Sequence, residues 1–163
     1  MSDKEHQWQR RTIPEIGLAL DFRSELAIES VELHGGRHVY QRLLGNDGFV
    51  FVRYGTHETL QEFIATPADM ITSVSVVEDN PVPYYGKQAR QLRLVLSRQG
   101  LRAYSFEPGG LVHSDIPEQR TIISVIGFTH NNVPILVGFR IPESYLDQFR
   151  PQLDAFLKSV TCL

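Results

Sequence analysis

The last third of the chain constrains the fold more than any other stretch. The turn-forming sequence His130-Asn131-Asn132 is preceded by the apolar residues Ile122, Ile123, Val125, Ile126 and Phe128 and followed by Val133, Ile135, Leu136, Val137 and Phe139. Apolar residues at consecutive positions are typical of strands that are buried on both faces. Two such strands joined by a short turn predict an antiparallel hairpin in the middle of a sheet.

A helical pattern follows this hairpin and ends the chain. Its apolar stripe has helical spacing and consists of Leu146, Phe149, Leu153, Phe156, Leu157 and Val160. Pro151 falls inside the pattern, and proline suits the first turn of a helix better than its interior. We therefore predict a short turn over 143–148, a break at Arg150 and the main helix from Pro151 to about Val160.

Composition bounds the class of protein. A chain of 163 residues suits one domain, which we place at 13–163 behind a polar N-terminal arm at 1–12. The formal charge of −3 argues against nucleic acid as a partner, because nucleic-acid binding needs a basic excess. No apolar run reaches the ~18 residues that a membrane span needs, and the lone Cys162 cannot form an internal disulfide. These features predict a cytoplasmic protein.

The first half of the chain reads as short strands and one helix. Gly35-Gly36 predicts a tight hairpin turn, and 49–54 predicts a strand that is apolar on both faces. Thr59 and Glu62 have capping-box spacing and predict a helix that buries Leu60 and its neighbours.

Longer strands are expected in the next segment. A strand from Val74 should be interrupted over 79–83, where two prolines weaken the ladder. A long strand over 88–97 should turn at 98–100, and 107–117 should form a loop.

Two groups of residues are candidates for chemistry. His34 and His38 flank the Gly-Gly turn and could begin a metal site, but no third ligand has a suitable spacing. His113, Ser114 and Asp115 are the residue types of a hydrolytic triad, but residues adjacent in sequence rarely converge as a triad must. Phosphate-binding motifs are absent from the sequence. We therefore predict no catalytic residues, no cofactor and no metal.

Tyrosine and arginine around the late strands favour a protein-binding surface, because both are common interface anchors. The candidate partner-binding residues are Tyr84, Tyr85, Arg93, Arg102 and Tyr104. The alternative interpretation is a set of solvated strand edges, where arginine also prevents unwanted strand pairing.

The order of elements resembles the Mog1/PsbP-like superfamily, particularly its small bacterial members. The resemblance rests on 16–22, 59–64, 85–92 and 133–159; its most specific patches are Gly86-Lys87-x-Ala89 before a strand and Phe156-Leu157-Lys158-Ser159-Val160 at the end. It implies an α+β fold, an α-β-α sandwich around a central, mainly antiparallel sheet with a C-terminal amphipathic helix. It also implies binding rather than catalysis, since members act as Ran-associated factors, photosystem subunits or chaperone-like adaptors.

Two functions remain open at this stage. The first is a non-enzymatic protein-binding module, a chaperone or adaptor that uses a partly open sheet face, as a monomer or homodimer. It is favoured by strands that are apolar on both faces while few helices are predicted to cover them. The second is a small-molecule or lipid carrier with a pocket between sheet and helix.

Overall fold

A computed structural model describes residues 7–33, 35–45, 47–55, 72–84, 87–98 and 101–163. Within these ranges the chain is dominated by antiparallel strands, followed by one α-helix. The strands are β1 Trp8–Ile13, β2 Leu18–Arg23, β3 Ile28–Leu33, β4 Gly36–Leu44, β5 Gly48–Tyr54, β6 Thr72–Tyr84, β7 Lys87–Arg98, β8 Leu101–Glu107, β9 Gly110–Ile116, β10 Gln119–His130, β11 Val133–Pro142 and β12 Thr161–Cys162. A 3-10 turn, Glu143–Tyr145, leads into helix α1, Leu146–Ser159.

The large sheet places the predicted hairpin at its centre. Its seven strands run in the order β3-β4-β5-β11-β10-β7-β6, so β11 and β10 have neighbours on both sides. Asn131 and Asn132 have φ values of 51° and 62°, the left-handed conformation that a two-residue hairpin turn requires. The central hairpin is therefore confirmed.

Both faces of the central strands carry buried side chains. On one face a large apolar cluster joins the sheet to β2 and α1, where Phe22 and Phe156 lie 5.7 Å apart between ring centroids. A second cluster occupies the opposite face and consists of Phe51, Leu92, Leu94, Ile123, Val125 and Leu136. Consecutive residues such as Ile122 and Ile123 thus enter different clusters, which explains the unbroken apolar runs. The prediction of a partly open sheet face is not supported.

The predicted α-β-α sandwich is wrong, because the described chain is a β-rich structure with one C-terminal helix. A small sheet, in the order β1-β2-β12, packs together with α1 against one face of the large sheet. It supplies Leu18, Leu20 and Phe22, which are completely buried. Apolar strands reveal that a face is covered but not whether a helix or a sheet covers it. The helix predicted at 59–64 lies outside the described residues.

The predicted break at Arg150 is also wrong, because α1 continues through Pro151. Proline removes one helical hydrogen bond, that to the carbonyl four residues earlier. Burial of Phe149, Leu153 and Phe156 on either side of the proline holds the helix together in spite of that loss.

Part of the predicted N-terminal arm belongs to the sheet structure. Residues 8–13 form β1, which pairs along its whole length with β2. Arg10 fixes this strand to the end of the chain: its guanidinium donates to Asp21 at 3.0 Å, to the Ser159 carbonyl at 3.1 Å and to the Thr161 hydroxyl at 2.5 Å. The polar composition of the segment concealed a strand held mainly by pairing and hydrogen bonds.

The interruption predicted over 79–83 does not occur, since β6 runs through Pro81 and Pro83. Strand β6 is at the edge of the large sheet and pairs only with β7 among the described strands. Proline is tolerated there because its missing N–H faces no partner strand.

No helix of the described ranges is long and apolar enough to cross a membrane.

Candidate functional site

A hairpin made by β8 and β9 continues the β7–β10 ladder in the same register. Arg98 lies opposite Gln119 at the end of that ladder. Three residues further along each strand, Leu101 lies opposite Ile116. The loop predicted over 107–117 is wrong, because β8 and β9 form a two-stranded ribbon that returns at Pro108-Gly109. The turn predicted at 98–100 includes residues that lie outside the described ranges.

The β8–β9 ribbon extends beyond the ends of β6 and β11, the outer neighbours of β7 and β10. Strand β6 begins with Thr72 opposite Arg98, and β11 ends with Pro142 opposite Thr121. Beyond these points β8 and β9 pair only with each other among the described strands. Strand β8 has seven residues, so the hairpin extends roughly 20 Å past the sheet. We call residues 101–116 the arm.

The arm exposes large apolar side chains. Phe106 is 93% exposed, Tyr104 61%, Leu111 57% and Val112 49%. Phe106 lies opposite Leu111, and Tyr104 opposite His113, so these four side chains share one face of the ribbon. The rings of Tyr104 and His113 have centroids 6.2 Å apart. Exposed apolar surface of this kind is typical of a binding site rather than of a solvated loop.

The end of the arm carries little charge. Between positions 103 and 114 Glu107 is the one acidic residue, and the sequence there has no lysine or arginine. Gly109 and Gly110 close the turn with φ values of 113° and 133°, which side-chain-bearing residues rarely adopt. The glycines thus shape the turn, and exposed apolar residues lie on its two sides.

Of the predicted partner-binding residues, Tyr84 lies at the opposite end of β7 from the arm. Its hydroxyl donates to the Leu157 carbonyl at 2.6 Å, and its ring packs 5.5 Å from that of Phe128. The 12 residues of β7, roughly 40 Å of extended strand, lie between the level of Tyr84 and the start of β8. The structure therefore does not bring these two tyrosines together, and Tyr85 lies outside the described residues.

The two predicted arginines lie at different levels of the ribbon. Arg93 is half-buried within β7, opposite Glu78 in β6 and Ser124 in β10. Arg102 lies on the arm, where its backbone is opposite Asp115. Arg102 and Tyr104 thus share one strand of the arm, and a role in partner binding stays a prediction for every member of the predicted set.

Sequence reasoning did not place Leu111 on one surface with Phe106 and Tyr104. A usable signal was present, because apolar residues flank Pro108-Gly109 on both sides, as in a hairpin. What the sequence could not show is that the neighbouring strands end before this point.

A cleft of about 420 Å³ lies near the base of the arm. Its lining is Asp47, Glu118, Gln119, Arg120, Thr121, Arg140, Pro142, Glu143, Ser144 and Tyr145. Arg120 and Glu143 form an ion pair of 3.1 Å at its rim. Charges of both signs therefore already neutralise one another here, and no ligand of one charge is favoured.

His38 lies in an aromatic cluster of the large sheet. Its ring stacks on Tyr40 with centroids 4.9 Å apart and lies 5.5 Å from the ring of Phe51. Burial, together with the positive charge of Arg53, lowers the pKa of His38 from 6.5 to about 4. A histidine that stays neutral in this way serves the packing of the sheet.

We expect this histidine to make stability depend on pH. Between pH 6.5 and about 4 the unfolded chain binds a proton at His38 that the folded chain does not, so stability falls as pH decreases. After allowance for partial access of water, the loss is about 1 to 2 kcal/mol. Urea unfolding at pH 7.5 and pH 4.5 measures it. His38→Phe should reduce the difference in stability between the two pH values. An equal pH dependence in His38→Phe would contradict the assignment.

The other candidate chemical groups do not assemble into a site. His113, Ser114 and Asp115 are consecutive in β9, so Ser114 faces away from the other two. His34 lies outside the described residues, which leaves the pair with His38 untested. In the described ranges no three histidine, cysteine, aspartate or glutamate side chains are grouped as metal ligands would be.

The architecture is that of a known class, and the chain has a PsbP-like fold. The solution structure of cyanobacterial PsbP (CyanoP) from Synechocystis sp. PCC 6803 is similar with a TM-score of 0.61 and 15% sequence identity, over 100% of this chain and 96% of that one. No family model and no curated protein matches the chain. The identity is low enough that the likeness concerns the fold.

Proposed function

We propose that this protein is a non-enzymatic protein-binding module that recognises its partner through the arm. The observation that carries the proposal is the exposure of Phe106, Tyr104 and Leu111 on one face of a projecting ribbon. Water contact with such side chains is unfavourable, and a partner that covers one of them fully gains about 1.5–3 kcal/mol. A role as adaptor or chaperone, and a cytoplasmic location, are part of the proposal.

The chemistry of the arm favours a protein over other macromolecules. Nucleic acid and anionic membranes attract lysine and arginine, whereas residues 103–114 contain neither and include Glu107. The net charge of −3 also disfavours binding to nucleic acid and anionic membranes. A partner with an apolar groove can cover both aromatic rings without having to neutralise much charge.

The alternative of a lipid or small-molecule carrier lacks support from the described cleft. That cleft is lined mainly by charged and hydroxyl-bearing residues at the ends of β10 and β11. The space between the large sheet and α1 is occupied by side chains such as Phe22, Leu153 and Phe156, each at most 1% exposed. A lipid chain would require an apolar cavity there.

Affinity capture with matched variants tests the proposal. Immobilised wild-type protein and the double variant Phe106→Ser/Leu111→Ser are exposed to extract of the source cells, and retained proteins are compared by quantitative mass spectrometry. We expect a specific protein to be retained by the wild type and to fall at least tenfold in the double variant, as the loss of two apolar anchors implies.

Val31→Ser is the matched control, because Val31 is 45% exposed at the other edge of the large sheet. This variant should retain the same protein as the wild type. Equal retention by the double variant, or equal loss in Val31→Ser, would show that the arm is not the recognition element.

A further inference from the structure

The arm has two strand edges that no described strand occupies. Its turn closes between Glu107 and Gly110, with two residues between them. In a hairpin with a two-residue loop the closing pair is hydrogen-bonded, and hydrogen-bonded pairs then alternate along the ribbon. The backbone N–H and C=O groups of Tyr104 and Phe106 therefore face outward from the β8 edge.

A lone two-stranded ribbon with free edges and an exposed apolar face is only marginally stable in water. Free edges also pair readily with other strands unless charge or proline protects them. Strand β8 has no proline, and its two charged residues lie away from its centre, Glu107 at the turn and Arg102 next to the opposite end. The β8 edge is thus open to an added strand.

We propose that the occupant of this edge is β8 of a second copy of the chain, paired antiparallel about Tyr104. In this register Tyr104 lies opposite Tyr104 of the second copy, and Phe106 lies opposite position 102. The central pair is aromatic on aromatic, a combination that attracts across neighbouring strands. The two arms form one four-stranded sheet.

Two-fold antiparallel pairing of β9 with β9 of a second copy gives a poorer match of side chains. Two-fold pairing about His113 sets two imidazoles side by side and places Leu111 beside Asp115 of the second copy. An apolar side chain opposite a carboxylate gains nothing, and two imidazoles repel each other once protonated. The sequence of β8 is therefore self-complementary in a way that β9 is not.

The size of the contact sets its strength. The two exposed rings of each copy offer about 300 Å² of surface, so paired arms bury at most about 1,000 Å² in total, at the lower limit for a specific interface. We therefore expect a weak, concentration-dependent dimer that covers the β8 edge and leaves the apolar face of the joined arms accessible to a partner. The inference rests on the proposed function only in that both use the arm.

Disulfide trapping and sedimentation test the pairing together. In a Cys162→Ser background, Tyr104→Cys should yield a disulfide-linked dimer under mild oxidation, because paired α-carbons lie about 5.5 Å apart. His113→Cys should yield none, because three strand spacings put its two copies roughly 14 Å apart.

In sedimentation equilibrium the wild-type mass should rise toward that of a dimer with concentration. Tyr104→Pro removes an outward N–H from the β8 edge and should abolish the increase in mass with concentration. His113→Pro changes only the β9 edge and should preserve that increase.

Either of two results would overturn the pairing: a wild type that stays monomeric across the concentration series, or cross-linking through position 113 rather than 104. If that monomeric protein still captured a partner in a Phe106-dependent way, the proposed function would stand alone. A dimer linked through position 104 without arm-dependent capture would support the pairing and contradict the proposed function.

Discussion

Replacement of Gly138 by alanine is expected to lower the free energy of unfolding by about 4 kcal/mol, since backbone on both sides leaves no room for relaxation. Gly138 lies in β11 between Val125 of β10 and Phe51 of β5. A Cβ atom at this position would collide with the Ser124 carbonyl oxygen and lie 3.0 Å from the α-carbon of Val125. Backbone atoms of a central strand can move only if the ladder on both sides moves with them.

Urea unfolding followed by far-ultraviolet circular dichroism measures this effect. Gly45→Ala is the control for the loss of glycine as such: Gly45 has a φ of 54°, and a Cβ atom added there would meet nothing within 4 Å. It should cost roughly 1 kcal/mol through backbone conformation alone. A Gly138→Ala protein as stable as Gly45→Ala would refute the steric explanation.

The second large effect is expected at Gln41, a buried polar residue that joins three chain segments. Its side-chain oxygen accepts from the Arg23 N–H at 2.8 Å, and its side-chain nitrogen donates to the carbonyls of Arg23 at 2.7 Å and Leu26 at 3.0 Å. Gln41 is 1% exposed, so water cannot replace these bonds. Gln41→Ala should therefore cost about 3 kcal/mol through unpaired backbone groups.

Gln9→Ala is the matched control for Gln41→Ala. Gln9 also donates to the Arg23 carbonyl, at 3.5 Å, but it is only partly buried. Its removal should cost well under 1 kcal/mol because water can take its place. Equal losses in the two variants would mean that burial does not govern the strength of this network.

The sequence predicted the centre of the fold well because the signal there is local. Consecutive apolar residues from Ile122 and from Val133, separated by two asparagines, allow few arrangements other than a buried hairpin. The apolar stripe of α1 could be recognised for the same reason, although the break predicted at Arg150 because of Pro151 was wrong. Packing of Phe149 and Leu153 outweighed one lost hydrogen bond.

The sequence did not reveal the exposed apolar face of the arm, because exposure is not a local property. Tyr84 and Tyr104 look equivalent in sequence, yet one donates to a helix carbonyl within the core and the other is 61% exposed on the arm. The exposure of Phe106 follows from the ends of β6 and β11, since neither of these described strands reaches it. Its 93% exposure is therefore a consequence of strand lengths elsewhere.

By itself the sequence determined the central hairpin, the amphipathic helix and the net charge of −3. Periodicity and charge are carried by neighbouring residues, so they can be read without knowledge of the fold. Only the tertiary structure decided that a small sheet shares one face with α1 and that residues 101–116 project as an arm. Both depend on which distant strands pair and where each one stops, and such pairing is set by the packing of the whole chain.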